Sequence, residues 1–303
     1  MSNRTEIASL GEFGLIEHLT KNIELQNVSS VLGVGDDAAV IDHFGKQTVI
    51  TTDLLLEGVH FDLAYTPLKH LGYKSVVVNL SDIYAMNATP TQITLSIGIS
   101  NRFSVEALNE FYDGVYLACE KYGVDLIGGD TSTSKKGFVI SVTAIGEVAP
   151  GNFVQRSTAQ KGDLICVSGF VGGAFLGLTL LEREKQIYLE NPQIQPDLEG
   201  EAYIVGRLLK PEARKDIIAF FEETGITPTA MLDISDGVSS EVLHICHKSG
   251  LGCRLFEEKL PIHEDARQAA FKFGLDPTVC ALNGGEDYEL IFTMKQADYD
   301  KIT

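Results

Sequence analysis

Aspartate recurs in this chain in one setting, next to glycine, serine or threonine where an apolar run ends. The instances are Gly35-Asp36-Asp37-Ala38, Thr51-Thr52-Asp53, Leu80-Ser81-Asp82, Gly128-Gly129-Asp130-Thr131 and Asp233-Ile234-Ser235-Asp236-Gly237. Acids scattered over a surface would mostly be glutamates on helix faces. Acids at strand ends and tight turns can point at one place. Two carboxylates about 4 Å apart repel by roughly 4 kcal/mol at an effective dielectric near 20. A fold that gathers such a set needs cations, and hard carboxylate oxygens favour Mg²⁺, Mn²⁺ or Ca²⁺.

The rest of the composition excludes more than it selects. The 303 residues suffice for two domains or one large one. A net charge of -18 argues against nucleic acid as a partner, because phosphate backbones attract basic patches. No run of about 20 apolar residues suggests a membrane span. The N-terminal Met1-Ser2-Asn3-Arg4-Thr5-Glu6 lacks a signal-peptide core. The cysteines (Cys119, Cys166, Cys246, Cys253, Cys280) form no CxxC pair and read as reduced thiols of a cytoplasmic protein.

Periodicity predicts alternating strands and helices. Residues 1–30 are weakly periodic. A strand is expected at 47–52 with Asp53 at its end, and a helix at about 68–86. Ile93, Leu95, Ile97 and Ile99 alternate as a strand with one buried face. Ser104 can cap a helix running to about 122, with Gly123 as its stop. A short buried strand, Val124 to Ile127, is expected to enter a Gly128-Gly129-Asp130 turn. Phe138, Ile140, Val142 and Ala144 mark a further strand. Turn-forming Ala149-Pro150-Gly151-Asn152 suggests a boundary, dividing the chain into 1–150 and 151–303. Beyond it come a strand Leu164 to Val167, a helix near 173–183, a polar loop at 187–200, and helices at 200–209 and 212–223. A strand Ala230 to Leu232 then delivers Asp233. A helix at 237–249, a strand at 252–256, helical segments between 263 and 282 and a strand at 288–293 follow. This alternation implies α/β or α+β layering.

Each acidic motif also has an ordinary explanation. Gly33-Val34-Gly35-Asp36-Asp37 reads equally as a surface turn. Thr51-Thr52-Asp53 resembles a Mg²⁺ site, since that ion accepts carboxylates, hydroxyls, waters and phosphate, but also a capped strand end. His60, seven residues on, is a single histidine. Asp82 lies in a predicted helix whose phase leaves it on either the apolar or the solvent side. Gly128-Gly129-Asp130-Thr131-Ser132 offers backbone amides for phosphate and an acid for metal, without the GxxxxGK[ST] pattern of a Walker A loop. Asp236 could cap the following helix. Gly284-Gly285-Glu286-Asp287-Tyr288-Glu289 could be an acidic surface turn. Jointly the motifs suggest phosphoryl transfer, in which cations let anionic phosphates settle among carboxylates.

The motifs GVGDDAAV, TTDLLLEGVHF, NLSDIYAM, LIGGDTS, LDISDG and GGEDYEL occur in the order found in thiamine-monophosphate kinases. Over residues 11 to 293 the chain resembles this family of the aminoimidazole-ribonucleotide synthetase-like ATP-binding superfamily. The resemblance implies transfer of phosphate from ATP to thiamine monophosphate with several Mg²⁺ ions. It also implies an N-terminal ATP- and Mg²⁺-binding dimerisation domain (1–150) and a C-terminal α/β domain (151–303). The N-terminal sheet would form a barrel across a homodimer. By motif, Asp37, Thr51, Thr52, Asp53, Asp82, Asp130, Asp233 and Asp236 would bind metal, with Asp37 preferred to Asp36. Tyr112, Gly129, Asp130, Arg156 and Ser235 would meet the nucleotide. His60 and Glu286 would face thiamine monophosphate, and Asp53 and Asp130 would be central to catalysis. The acceptor phosphate is already ionised at neutral pH, so direct in-line attack needs no strong base. Family members run past the position of Thr303 and there supply an aromatic substrate contact.

Other readings remain at this point. Selenophosphate synthetase needs a reactive cysteine or selenocysteine near the N-terminus, whereas the first cysteine here is Cys119. Aminoimidazole-ribonucleotide synthetase fits LDISDG with GGEDYEL less well. A non-catalytic metal-binding protein is a different class, though no EF-hand loop is present. A degenerate subunit could bind nucleotide without turnover.

Overall fold

The computed structural model describes residues 30–32, 36–37, 39–43, 45–100 and 102–302. Apart from Ser30, the weakly periodic stretch 1–30 lies outside the described residues, as do Gly33, Val34, Gly35 and Ala38 of the first acidic motif. Among the described residues, the first six strands form one sheet in the order β1-β2-β3-β6-β4-β5. They are β1 (Ser30–Leu32), β2 (Ala39–His43), β3 (Lys46–Leu56), β4 (Thr89–Ile99), β5 (Asp125–Thr133) and β6 (Val139–Val148). All pairings are antiparallel except β4 with β5. Helices α1 (Leu68–Ala85) and α2 (Val105–Tyr122) pack together and contribute to the core beneath this sheet. Ser104 caps α2 and Gly123 ends it in a left-handed conformation.

A second layer holds β7 (Leu164–Val167), β8 (Ala230–Asp233) and β9 (Leu290–Met294), antiparallel in the order β7-β9-β8. Its helices are α3 (Gly173–Glu190), α4 (Ala202–Leu209), α5 (Lys215–Thr224), α6 (Val238–Ser249), α7 (Glu264–Lys272) and α8 (Pro277–Asn283). Val171, Leu176, Leu232, Val242 and Ile291 centre a core there. The principal core joins the layers: Leu71, Val76 and Ile83 of α1 share it with Ile93, Ile140, Met231 and Phe292. Helix α1 is therefore covered on nearly all sides. From Leu71 to Ser81 every residue is buried, and a helix that is buried all round must satisfy its polar groups internally.

Several local expectations change. Asp53 does not end a strand, because β3 pairs with β6 from Gln47↔Val148 through Leu56↔Val139. The predicted Gly128-Gly129-Asp130 turn is extended backbone inside β5. Glycine at 129 answers a close approach: a Cβ there would sit 1.8 Å from the Leu95 carbonyl oxygen. Nor is this strand buried, since β5 is an edge strand with Ile127 exposed. Helix α3 runs to Glu190, well past the predicted stop near 183, because nothing in 184–190 breaks the helix before Pro192. No strand forms at 252–256. That stretch is largely exposed, pairs with no strand and leads into a single turn at Glu257–Lys259.

Candidate active site

The buried helix α1 carries Lys74, Asn79, Ser81 and Asp82, and each is tied to another element. Asn79 Oδ1 accepts from the Asp53 backbone N–H (2.9 Å) while its amide donates to the Ser75 carbonyl (3.0 Å). Ser81 Oγ donates to Asp233 Oδ2 at the end of β8 (2.6 Å). Asp82 Oδ2 accepts from Thr51 Oγ1 on β3 (2.6 Å). These bonds hold β3, α1 and β8 together around one point.

Carboxylates converge there. Asp37, Asp82 and Asp233 each place an oxygen within 4.8 Å of the others. Burial pushes all three up in pKa: Asp37 and Asp82 well above the carboxylate range, and Asp233 to about 6. Mutual repulsion adds to this, since Asp233, Asp53 and Asp37 all raise Asp82. Asp53 is raised by burial. Asp37 Oδ2 is buried without a hydrogen-bond partner. Hard oxygen donors, shared repulsion and an orphaned carboxylate oxygen fit a divalent cation such as Mg²⁺.

Arg156 is the cation on one side of this group. Its backbone N–H reaches both Asp36 carboxylate oxygens (3.2 Å each), its Nε reaches Asp36 Oδ1 (3.1 Å), and its terminal nitrogen pairs with Asp37. Asp36 is thus engaged by arginine, which leaves the second acid of the pair with a free oxygen.

The glycine loop before β9 assigns its three acids to separate tasks. Gly285 abuts the Asp233–Gly237 turn so closely that a Cβ would lie 2.2 Å from the Ser235 carbonyl oxygen. That carbonyl accepts from Glu286 N–H (2.7 Å), and Glu286 itself has φ 66°. Such left-handed backbone in a residue with a side chain marks a constrained site. The Glu286 carboxylate pairs with Lys74 (2.7 Å). Asp287 accepts from Gly172 and Ala174 N–H groups at the start of α3 (2.6 and 3.2 Å). Glu289 pairs with Arg207 (3.0 Å) and Arg214. The latter two acids build the fold.

His60 and Glu286 line one cavity of about 490 Å³, with Gly58, Asp62, Tyr65, Lys74 and Glu182 also on its wall. His60 Nδ1 accepts from Leu56 N–H (3.0 Å), which leaves Nε2 as the donor of the neutral ring. Glu286 on the cavity wall is tied to the turn after Asp233 by its N–H bond to the Ser235 carbonyl (2.7 Å), and burial, with the charges of Glu286, Asp53, Asp233 and Asp82, raises the phenol of Tyr288.

The side chains of the other predicted residues do not join the converging carboxylates. Along the row Asp53–Val142–Leu95–Gly129 the side chains face the helices, whereas Asp130 shares the alternate row with Ser96, Ser141 and Leu54. Asp130 and Leu54 are exposed. Three inter-strand spacings, about 14 Å, separate Asp53 from Asp130. Thr52 also turns to the open face, bonded to the Val142 carbonyl (3.0 Å) and Thr143 (3.1 Å). Tyr112 packs on Phe111 and Tyr116, 5.8 Å between ring centres in each pair. Ser235 and Asp236 are exposed, and Asp236 N–H donates to Glu241 Oε1 (3.0 Å).

Lys74, Asn79, Ser81, Glu241 and Tyr288 carry no role in the sequence motifs. A lysine and an asparagine inside the apolar run 71–83 were the available signal for the first two. Glu241 is buried, its Oε2 lacks a partner, and burial raises its pKa to about 8.

Comparison with known proteins places this geometry in a lineage. The family described as AIR synthase related protein, N-terminal domain, matches residues 35–148. The thiamine-monophosphate kinase of Aquifex aeolicus is 37% identical over 287 residues, covering 95% of this chain and 87% of that protein. The thiamine-monophosphate kinase of Bacillus subtilis is 32% identical over 297 residues, covering 96% and 86%. A solved structure described as AaThiL complexed with AMPPCP and TMP superposes with a TM-score of 0.84 at 34% identity, covering 98% of this chain and 89% of that one. The mixed α/β architecture is that of these enzymes, and the chain belongs to the thiamine-monophosphate kinase family.

Proposed function

We propose that this protein phosphorylates thiamine monophosphate to thiamine diphosphate, with ATP as donor and Mg²⁺ as the cation. The observation that carries the reading is the convergence of Asp37, Asp82 and Asp233 beside a cavity that holds His60 and Glu286, in a chain of this family. A phosphate oxygen of thiamine monophosphate attacks the γ-phosphorus of ATP, the bond to the β-phosphate oxygen breaks, and ADP leaves with that electron pair. The acceptor oxygen is already anionic, so positioning outweighs base catalysis.

The residues divide the work. Asp37, Asp82 and Asp233, with Thr51 and Asp53, would hold one Mg²⁺, while Thr52 and Asp130 on the open face of the sheet and Asp236 on the turn after β8 are proposed as ligands of further Mg²⁺ ions. Bound there, the ion neutralises charge on the phosphates and among the carboxylates. Asn79, Ser81 and Thr51 fix the carboxylate-bearing backbone and side chains before substrate arrives. Arg156, Ser235, Tyr112 and Gly129 contact the nucleotide. His60 and Glu286 bind the acceptor.

Residues 1–150 form the nucleotide- and metal-binding, dimer-forming domain in this reading, and 151–303 the second domain. The open face of the six-stranded sheet, where Leu54 is 53% exposed and Asp130 is exposed, supports closure into a barrel against a second copy. Asp130 lies on that face, far from Asp53 of the same chain. Its role at the nucleotide is then served by the partner subunit's Asp130. No helix among the described residues is long and apolar enough to cross a membrane, and use of ATP fits the cytoplasm.

The test is to incubate the protein with MgATP and thiamine monophosphate and separate the products. Thiamine diphosphate and ADP in equal amounts are expected. Consumption of ATP without thiamine diphosphate would overturn the reading.

A further inference from the structure

Lys74 is a cation buried in the middle of α1, with 4% of its surface exposed. An ammonium in such a place needs partners, because desolvation of an unpaired charge is expensive. Its Nζ donates to the Leu208 carbonyl at the end of α4 (3.1 Å) and to Glu286 Oε2 (2.7 Å). Both of these partners and Lys74 itself lie on the wall of the same cavity. Glu286 is thereby held at both ends: its backbone N–H by Ser235, its carboxylate by Lys74.

The placement along the helix gives this pair a direction. Lys74 and Asp82 are eight residues apart on α1, about 12 Å along its axis. A phosphate held near Asp82 and Asp233 leaves the organic part of the acceptor to extend toward Lys74 and Glu286.

We propose that Lys74 is a positioning residue for the acceptor substrate. Its ammonium fixes the Glu286 carboxylate in the cavity and so sets affinity for the acceptor without touching the phosphoryl donor. This rests on the transfer reaction proposed above. The pair also spans the two layers, so the acceptor pocket exists only when α1 and the β9 loop are docked.

The test compares Lys74→Met, Lys74→Arg, Glu286→Gln and the Lys74→Met/Glu286→Gln double variant by steady-state kinetics. Lys74→Met should raise KM for thiamine monophosphate about tenfold or more, keep kcat within about threefold, and leave KM for ATP unchanged. Lys74→Arg should recover most of the loss. The double variant should resemble Glu286→Gln alone, because both act through one carboxylate. A folded Lys74→Met protein with wild-type KM for thiamine monophosphate overturns the proposal, as does an equal rise in both KM values. If Lys74→Met does not fold, the charge-neutral double variant decides: a further tenfold rise in KM beyond Glu286→Gln overturns the shared role. Wild-type protein that leaves thiamine monophosphate unphosphorylated overturns the function reading instead, so the two failures are distinct.

Discussion

Ser81 and Asp233, 152 positions apart in sequence, share a buried 2.6 Å hydrogen bond that joins the helix under the large sheet to the last residue of a strand in the small one. The bond holds one of the three converging carboxylates at the junction of the layers. Ser81→Ala leaves Asp233 without its side-chain donor in a buried setting. Chemical denaturation should show a loss of about 1–3 kcal/mol. Mg²⁺ affinity, measured by calorimetry, should fall while the fold persists.

The acidic centre gives stability a definite dependence on pH. Asp233 titrates near 6 in the folded protein against 3.8 as its ordinary value, raised first by burial. A raised folded pKa contributes stability that is fully present below the ordinary value and is lost as pH rises through about 6. Without divalent cations, the stability of wild type relative to Asp233→Asn should therefore decline between pH 4 and 7. Magnesium should reverse this, because its ligands must be deprotonated. The Mg²⁺-induced rise in Tm should be larger at pH 7.5 than at pH 5.

Arg156 neutralises Asp36 and Asp37 from a side chain that is only 15% exposed. Arg156→Met strands two buried carboxylates, and removal of one partner from a buried pair typically costs about 3–5 kcal/mol. Denaturation of the cation-free protein should show that loss. Added Mg²⁺ should restore part of it, since a divalent ion can replace the missing charge at Asp37.

Gly285 leaves no room for a side chain beside the Ser235 carbonyl. Gly285→Ala must displace one of two backbone segments, at a cost of about 1–3 kcal/mol. Because Glu286 and the Asp233–Asp236 turn move with them, turnover should fall further than stability. Activity and melting of the purified variant check this together.

The dimer proposed above predicts complementation between subunits, because Asp53 and Asp130 of one chain stand three strands apart. Asp53→Asn and Asp130→Asn homodimers should both be inactive. Mixed dimers formed by co-refolding should regain activity, because one of their two sites pairs an intact Asp53 with the partner's intact Asp130. If mixing restores nothing although mixed dimers form, both residues serve one chain's site.

Local patterns revealed the elements well where neighbours agreed with them. Ser104 and Gly123 delimited α2, and alternation marked β4 and β6. They misled where pairing partners decided the outcome. Gly128-Gly129 reads as a turn in one dimension, yet β4 holds it extended. Asp53 reads as a strand end, yet β6 continues its pairing to Leu56. The acidic motifs indicated cations, but sequence alone could not show that Asp37, Asp82 and Asp233 meet while Asp130 faces away. That depends on which side of each strand a residue takes and on the docking of two layers. Lys74 and Asn79 escaped notice because their partners lie on other segments.

The most direct measurement compares Mg²⁺-dependent formation of thiamine diphosphate by wild type and by Asp82→Asn. Asp82 has Asp233, Asp53 and Asp37 as charged neighbours, and an isosteric amide keeps an oxygen that can accept from Thr51. Wild type should require Mg²⁺, and the variant should melt normally yet lose about a hundredfold or more in kcat. An Asp82→Asn protein that forms thiamine diphosphate at the wild-type rate would contradict the claim that these carboxylates build the transfer site.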